Sequence, residues 1–211
     1  MKNFLAIDTS GNYMAVVAAK GGRLFSTYLP DCAMRHSVSL MGAVEETLKK
    51  AGLELSECDF FGAVVGAGSF TGIRIGISAV KGFALAFGKP TLPVTSFDVA
   101  AYNAVDGAPA EKTLCLVDAL HDAYYACGYE NGGVSYPPTY LTEEEVLALV
   151  GEGYALRSCS VLPIAEKAVV EVVDPVTGLQ NAVCALSEKG AFGELVALYA
   201  RKSSAELNLG K

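Results

Sequence analysis

A short apolar run that closes on an aspartate occurs twice in this chain, at residues 3–8 and again at 113–118, with Asp8 and Asp118 lying 110 positions apart. The glycine turns that follow keep the same offset. Lys20-Gly21-Gly22-Arg23 ends a second apolar run, 13–19, and Asn131-Gly132-Gly133 ends its counterpart, 123–129. Apolar runs joined through a two-residue glycine turn are hairpins, and a third run, 24–29, completes the first set. Chance recurrence of so short a pattern is the competing account. A duplicated βββα unit is the reading we adopt, and it makes the chain an α/β protein.

The rest of the first unit is equally patterned. Ser37 caps a helix to about Ala51 that carries Met41, Val44 and Leu48 on one face and the pairs Glu45/Lys49 and Glu46/Lys50 on another, with Gly52 to end it. An apolar strand, 60–65, leads through Gly66-Ala67-Gly68-Ser69-Phe70-Thr71-Gly72 into a helix to about Phe87, stopped by Gly88-Lys89-Pro90, and 91–94 is a further strand. In the second unit Thr142-x-x-Glu145 is a capping box for a helix to about Val150; 169–173 reads as a strand and 192–200 as a terminal helix, while 151–168 carries no pattern. Two such units face to face place Asp8 and Asp118 at strand ends on either side of a cleft, where ligands of α/β proteins bind. The expected domains are 1–102, completed by a terminal helix within 190–211, and 103–189.

Composition narrows the function. With 52% apolar and 18% charged residues over 211 positions the chain folds. Its apolar stretches stop short of the ~20 residues that cross a bilayer. The first residues lack an apolar h-region and a small-residue cleavage site, so a cytoplasmic location and no membrane contact are expected. The six Cys include no C-x-x-C pair, and His36 and His121 are too few for a zinc pattern; buried, reduced thiols and no metal site follow. A net charge of -7 argues against direct nucleic-acid binding. That charge is uneven: residues 1–102 sum to +1 and the remainder to -8. The near-neutral, apolar first half is the one suited to association.

The glycine loop between strand and helix has backbone amides that suit an anion. It lacks the lysine of a Walker loop, and it lacks the third glycine and later acid of a dinucleotide fingerprint. A turn for close packing is the competing reading. The helix after it sets Gly72, Gly76, Ala79, Gly82 and Ala86 among Ile73, Ile75, Ile77, Val80, Phe83, Leu85 and Phe87, with only Arg74, Ser78 and Lys81 polar. Its interior glycines each forgo ~1 kcal/mol of helix propensity. Either this helix lies wholly inside its own domain or one face meets another polypeptide.

Ile7-Asp8-Thr9-Ser10, the helix start at His36-Ser37, and above all Gly66-Ala67-Gly68-Ser69-Phe70-Thr71-Gly72-Ile73-Arg74-Ile75-Gly76 resemble the TsaB (YeaZ) family of bacterial tRNA threonylcarbamoyladenosine biosynthesis proteins. Ala67 stands where that family usually has Pro. Leu198-Tyr199-Ala200-Arg201 is similar to its closing Y-hydrophobic-R, whereas Leu120 and Ala123 replace an Arg and a Glu. The resemblance implies an actin-like, Hsp70-like ATPase (ASKHA) fold of two RNase H-like βββαβα halves, the second reduced. It implies a non-catalytic subunit that binds the homologous catalytic subunit TsaD, joins the ATPase TsaE, touches tRNA only through that complex, and can pair with itself.

On this reading Met41, Val44, Leu48, Ile73, Arg74, Gly76, Ile77 and Val80 form the partner interface, and no residue is catalytic. Asp8, Ser10, Gly66, Gly68 and Asp118 outline a vestigial nucleotide cleft. No cofactor is held tightly, although ATP or ADP at the subunit boundary is compatible with the resemblance. The catalytic relatives hold a metal with H-x-x-x-H, whereas His36 is followed here by Leu40, so no peptidase site is expected. The alternative is an ATP-binding ASKHA-type enzyme that uses Asp8 and Asp118 around a magnesium nucleotide.

Overall fold

A computed structural model describes residues 1–103 and 111–199. In the first half β1 (Phe4–Asp8), β2 (Met14–Lys20) and β3 (Arg23–Leu29) form an antiparallel meander, followed by α1 (His36–Ala51), β4 (Phe60–Val64), α2 (Phe70–Phe87), β5 (Thr91–Val94) and α3 (Ser96–Ala101). Strands β4 and β5 add in parallel, so the sheet runs β3-β2-β1-β4-β5. The second half holds β6 (Thr113–Asp118), β7 (Ala123–Glu130), β8 (Gly133–Thr142), α4 (Glu143–Gly151), β9 (Ala155–Ser158), β10 (Val170–Val172) and α5 (Pro175–Glu188). Its sheet, β10-β9-β6-β7-β8, repeats the same order. The repeated meander with two added parallel strands is the duplicated ASKHA architecture. The second copy is reduced: between β9 and β10, where the first copy has α2, only a 3-10 turn at Pro163–Glu166 is found.

Period-two alternation on β1 splits the core into layers. Leu5 and Ile7 face outward under α1 and α2, packing with Leu40, Val44, Phe61, Ile73 and Val80. Phe4 and Ala6 face inward onto a core shared with Phe97 of α3, Leu179 of α5, and Cys115, Cys127 and Tyr129 of the second sheet. That shared core joins the two halves. Leu114, Leu116, Tyr124 and Leu156 form a third layer with Val146 of α4. The helix ends follow the caps: Gly52 and Gly88 close α1 and α2 in the left-handed conformation, and Thr142 with Glu145 forms the capping box of α4.

Three features depart from the sequence reading. Residues 191–199 are not helical but form an irregular strap across the first half. The Gly193 amide donates to the Thr91 carbonyl at 3.0 Å and the Leu198 amide to Val65 at 2.7 Å, while Leu195 is buried in the outer core. Two strap amides five residues apart are thus satisfied by carbonyls in β5 and at the end of β4 of the same chain, in place of helical hydrogen bonds. The rest of the expected terminal helix, 200–211, lies outside the described residues.

Secondly, α3 and α5 carry helix starts that the reading passed over. Thr95 and Asp98 form a capping box, and Asp174 accepts from the amides of Val176 and Thr177 with Pro175 at the first turn. Thirdly, α2, at 18 residues, is long and apolar enough by composition to cross a membrane, although no such segment was expected. Its inward residues Ile73, Ile77 and Val80 are packed on the sheet.

Candidate functional site

Two places gather the residues singled out from the sequence: the cleft at the ends of β1 and β6, and the outer face of α1 and α2. The cleft has a volume of about 430 Å³ and is lined by Ser10, Asn12, Tyr13, Gly68, Ser69 and Ser96 from the first half and by Asp118, Ser158, Cys159 and Ser160 from the second, among others. Of the expected cleft residues, Ser10, Gly68 and Asp118 line it. Asp8 lies beneath them with no exposed surface. Gly66 is covered by the strap: a Cβ there would stand 2.7 Å from the Leu198 carbonyl oxygen.

Asp8 is fully engaged. Its Oδ1 accepts from the Ser10 amide at 2.8 Å and the Ser10 hydroxyl at 2.6 Å, and its Oδ2 accepts from the Tyr13 phenol at 2.9 Å. Burial raises its pKa above the ordinary carboxylate value, and the Ser10 and Tyr13 hydrogen bonds pull it back in part. Asp118, by contrast, is exposed at the end of β6, with Oδ1 accepting from the Leu120 amide at 2.7 Å. The turn after it places Leu120, His121 and Asp122 in succession at φ 63°, 57° and 53°.

Asp8 is not placed to ligate a cation in the cleft. A cation needs open carboxylate oxygens, and Tyr13 and Ser10 already occupy those of Asp8. Among the described residues lining the cleft, Asp118 carries the single charge, so phosphates meet no lysine or arginine there. Burial also pushes the Cys159 thiol, on the cleft wall, up to about 12.

The glycine loop is a packing device. Ser69 donates its amide to the Ser10 carbonyl at 2.8 Å and caps α2 by accepting from the Gly72 amide. Ser96 of α3 donates its amide to Gly66 and its hydroxyl to the Ala67 carbonyl. A Cβ on Gly68 would stand 2.4 Å from the Ser10 carbonyl oxygen, and one on Gly72 only 2.0 Å from that of Thr9. The glycines therefore let β1, α2 and α3 converge. His36 is likewise interior, its Nε2 2.9 Å from the Tyr13 carbonyl, with Leu40 in the outer core. Among the described residues no group of three or more His, Cys, Asp or Glu is placed to hold a metal ion.

The expected partner interface divides in two. Val44, Ile73, Gly76, Ile77 and Val80 are buried in their own half, which corrects their assignment to a surface. Gly76 approaches Thr9, where a Cβ would lie 2.6 Å from its hydroxyl oxygen; the close backbone approach that the small residues suggested is made within the chain. Met41 and Arg74 are exposed and Leu48 is half-buried. Helical geometry explains the split: the residues at 73, 76, 77 and 80 share the inner stripe, while 70, 74, 78, 81 and 85 share the outer one.

The outer stripe carries the polar residues Arg74, Ser78 and Lys81 of α2, yet large apolar side chains stand exposed beside them. Met34 just before α1, Val38 and Met41 on α1, and Phe70 and Leu85 on α2 are 95%, 83%, 55%, 53% and 87% exposed. The sequence did not single out Met34, Val38, Phe70 or Leu85 as surface residues, although their phase relative to Ile73 and Val80 carried that information. Two grooves meet at Met41: about 560 Å³ toward Phe70, Arg74 and Ile75 of α2, and about 680 Å³ toward Leu48, Leu53 and Leu55.

Comparisons with known proteins agree on one family. The TsaD family model, tRNA N6-adenosine threonylcarbamoyltransferase, matches residues 25–204. The tRNA threonylcarbamoyladenosine biosynthesis protein TsaB of Escherichia coli is 30% identical over 131 residues, 61% of this chain and 56% of that protein. The chain spans about half the length of the curated relatives it matches. YeaZ from Pseudomonas aeruginosa superposes with a TM-score of 0.78 at 25% identity, over 94% of this chain and 100% of that one. An inorganic polyphosphate/ATP-glucomannokinase from Arthrobacter sp. strain KM, 11% identical, aligns over 90% of this chain and 100% of its own with a TM-score of 0.50, a likeness of fold alone. The chain belongs to the TsaD/TsaB family of tRNA threonylcarbamoyladenosine biosynthesis proteins.

Proposed function

We propose that this protein is a non-catalytic subunit in the formation of threonylcarbamoyladenosine on tRNA, and that it holds a TsaD-like catalytic subunit on the outer face of α1 and α2. The observation that carries this reading is the set of large apolar side chains on α1, on α2 and just before α1, namely Met34, Val38, Met41, Phe70 and Leu85, which the described residues leave more than half exposed. An exposed apolar stretch of that kind marks a protein contact. A near-neutral first half beside an acidic second half supports docking on the same side.

The cleft supports the non-catalytic part. Asp8 lies beneath the cleft with no exposed surface and accepts from Ser10 and Tyr13, which counts against the reading of Asp8 and Asp118 around a magnesium nucleotide. In this account ATP or ADP belongs to the boundary between subunits, a TsaE-like ATPase joins the assembly, and tRNA is contacted through the complex in the cytoplasm. In isolation the same apolar face pairs two copies of the chain.

The test is reconstitution of the tRNA modification with TsaD-like and TsaE-like proteins of the same organism, with and without this chain. Modification that depends on the chain, and that survives Asp8→Asn in a folded variant, is the expected result. Full modification in its absence contradicts the proposal.

A further inference from the structure

At the rim of the groove between α1 and α2, the Arg74 guanidinium lies 3.7 Å from the centroid of the Phe70 ring, and its Nε donates to the Tyr199 hydroxyl at 3.0 Å. The Phe70 and Tyr199 rings are themselves 5.3 Å apart. The two aromatic residues thus fix the plane of the guanidinium and use its inner nitrogen. Among the described residues Arg74 has no acidic partner, and its two terminal nitrogens donate to none of them.

Around it the groove is apolar or neutral: Met41, Thr71, Ile75, Ser78 and Ala79 supply the walls, and no acidic residue lines it. A planar cation, stacked and held at Nε, presents its free fork to a ligand of matching geometry, and a carboxylate accepts such a fork in two parallel hydrogen bonds. Preorganisation of this sort lowers the entropy lost when the bond forms.

We infer that Arg74 is the carboxylate-recognition point of the docking face, and that its occupant is a distinct protein presenting an Asp or Glu within an apolar helix surface. This rests on the docking reading above and adds the chemistry of the partner to it. Charge complementarity ranks the occupants: a second copy pairing groove on groove brings no carboxylate to Arg74, since none lines that groove, whereas a carboxylate-bearing partner neutralises it, so self-pairing is the weaker use of this face. Tyr199 is a positioning residue. It is delivered by the strap, whose Leu195 and Leu198 are anchored on the first half, so the end of the described chain completes a surface built on α2.

The test is titration of the full chain with the TsaD-like protein of the same organism at about 50 mM and about 300 mM salt. Arg74→Gln is expected to weaken binding ~10–100-fold at the lower salt, the range for a hydrogen-bonded charge, and to flatten the salt dependence. Tyr199→Phe is expected to weaken it less while keeping the salt dependence. Leu85→Asp, which tests the apolar face alone, is expected to abolish binding. If Leu85→Asp abolishes binding but Arg74→Gln binds as the parent does, the carboxylate inference is overturned and the docking face stands. If the parent protein does not bind, or Leu85→Asp leaves binding intact, the docking reading itself fails. Matching thermal melts for parent and Arg74→Gln exclude unfolding as the cause.

Discussion

Tyr13 places its phenol 2.9 Å from the Oδ2 of Asp8, five residues earlier, and so closes the carboxylate that ends the central strand of the first sheet. Both residues are buried, and the ring fills the space beside Gly11 that the turn between β1 and β2 would otherwise leave open. A carboxylate that holds a hydrated cation must keep acceptor positions open toward it. Here it is part of the fold's own hydrogen bonding.

Tyr13→Phe removes that donor. Burial raises the Asp8 pKa, and the hydrogen bonds from Ser10 and Tyr13 oppose the rise. A carboxyl raised on folding binds its proton more tightly in the native state, so it subtracts stability as pH climbs above the free value of 3.8 and returns it as pH falls. The hydrogen bond to the charged form is the stronger one. Urea titrations should therefore show a loss that is smaller at low pH, where the carboxyl is protonated, and reaches about 1–2 kcal/mol where it is ionised; a loss that does not change with pH contradicts the assignment.

The glycines of α2 should separate by position. Gly72→Ala drives a Cβ to within 2.0 Å of the Thr9 carbonyl oxygen, a backbone obstacle expected to cost about 3 kcal/mol. Gly82 has nothing within 4 Å of the same atom, and Gly82→Ala should gain about 0.5–1 kcal/mol from helix propensity. Thermal melts of the two variants check the contrast, and similar effects at both sites would refute it.

The strap is structural. Leu195 is buried in the outer core with Leu5, Phe61 and Ile73, so Leu195→Ala should cost about 2–4 kcal/mol. An exposed-residue effect, below about 0.5 kcal/mol, would show that the strap is dispensable for the fold.

Thiol chemistry offers a fourth check. Burial pushes Cys58, Cys127 and Cys159 up to about 12. At pH 8 the thiolate at each is then roughly one part in ten thousand, and alkylation of the native protein should be far slower there than after unfolding. Rapid modification of Cys159 in the native state would mean that the cleft is not closed around it.

Much of this fold was legible because its signals are local. The hairpin glycines at 21–22 and 132–133, the αL caps at Gly52 and Gly88, and the two aspartates at equivalent strand ends all lie where periodicity and turn chemistry put them. Two helices escaped notice although Thr95-x-x-Asp98 and Asp174-Pro175 mark their starts. The final segment misled for the opposite reason: Phe192, Leu195, Val196 and Tyr199 are spaced like a helix face, yet the amides of Gly193 and Leu198 among them bond to Thr91 and Val65 across the chain, which no local pattern encodes.

The docking face shows the same limit. Apolar residues lie all round α2, yet Arg74, Ser78 and Lys81 already mark one side as the wet one; what the sequence does not show is that Gly72 and Gly76 pack on Thr9, with Ile73, Ile77 and Val80 turned inward and Phe70, Arg74 and Leu85 outward.

The most direct measurement is hydrogen–deuterium exchange on this protein with and without the TsaD-like subunit of the same organism. New protection confined to the amides of 31–42 and 70–87 is the expected result. Protection instead around 116–118 and 158–162, with α1 and α2 unchanged, would place the partner in the cleft and contradict the account.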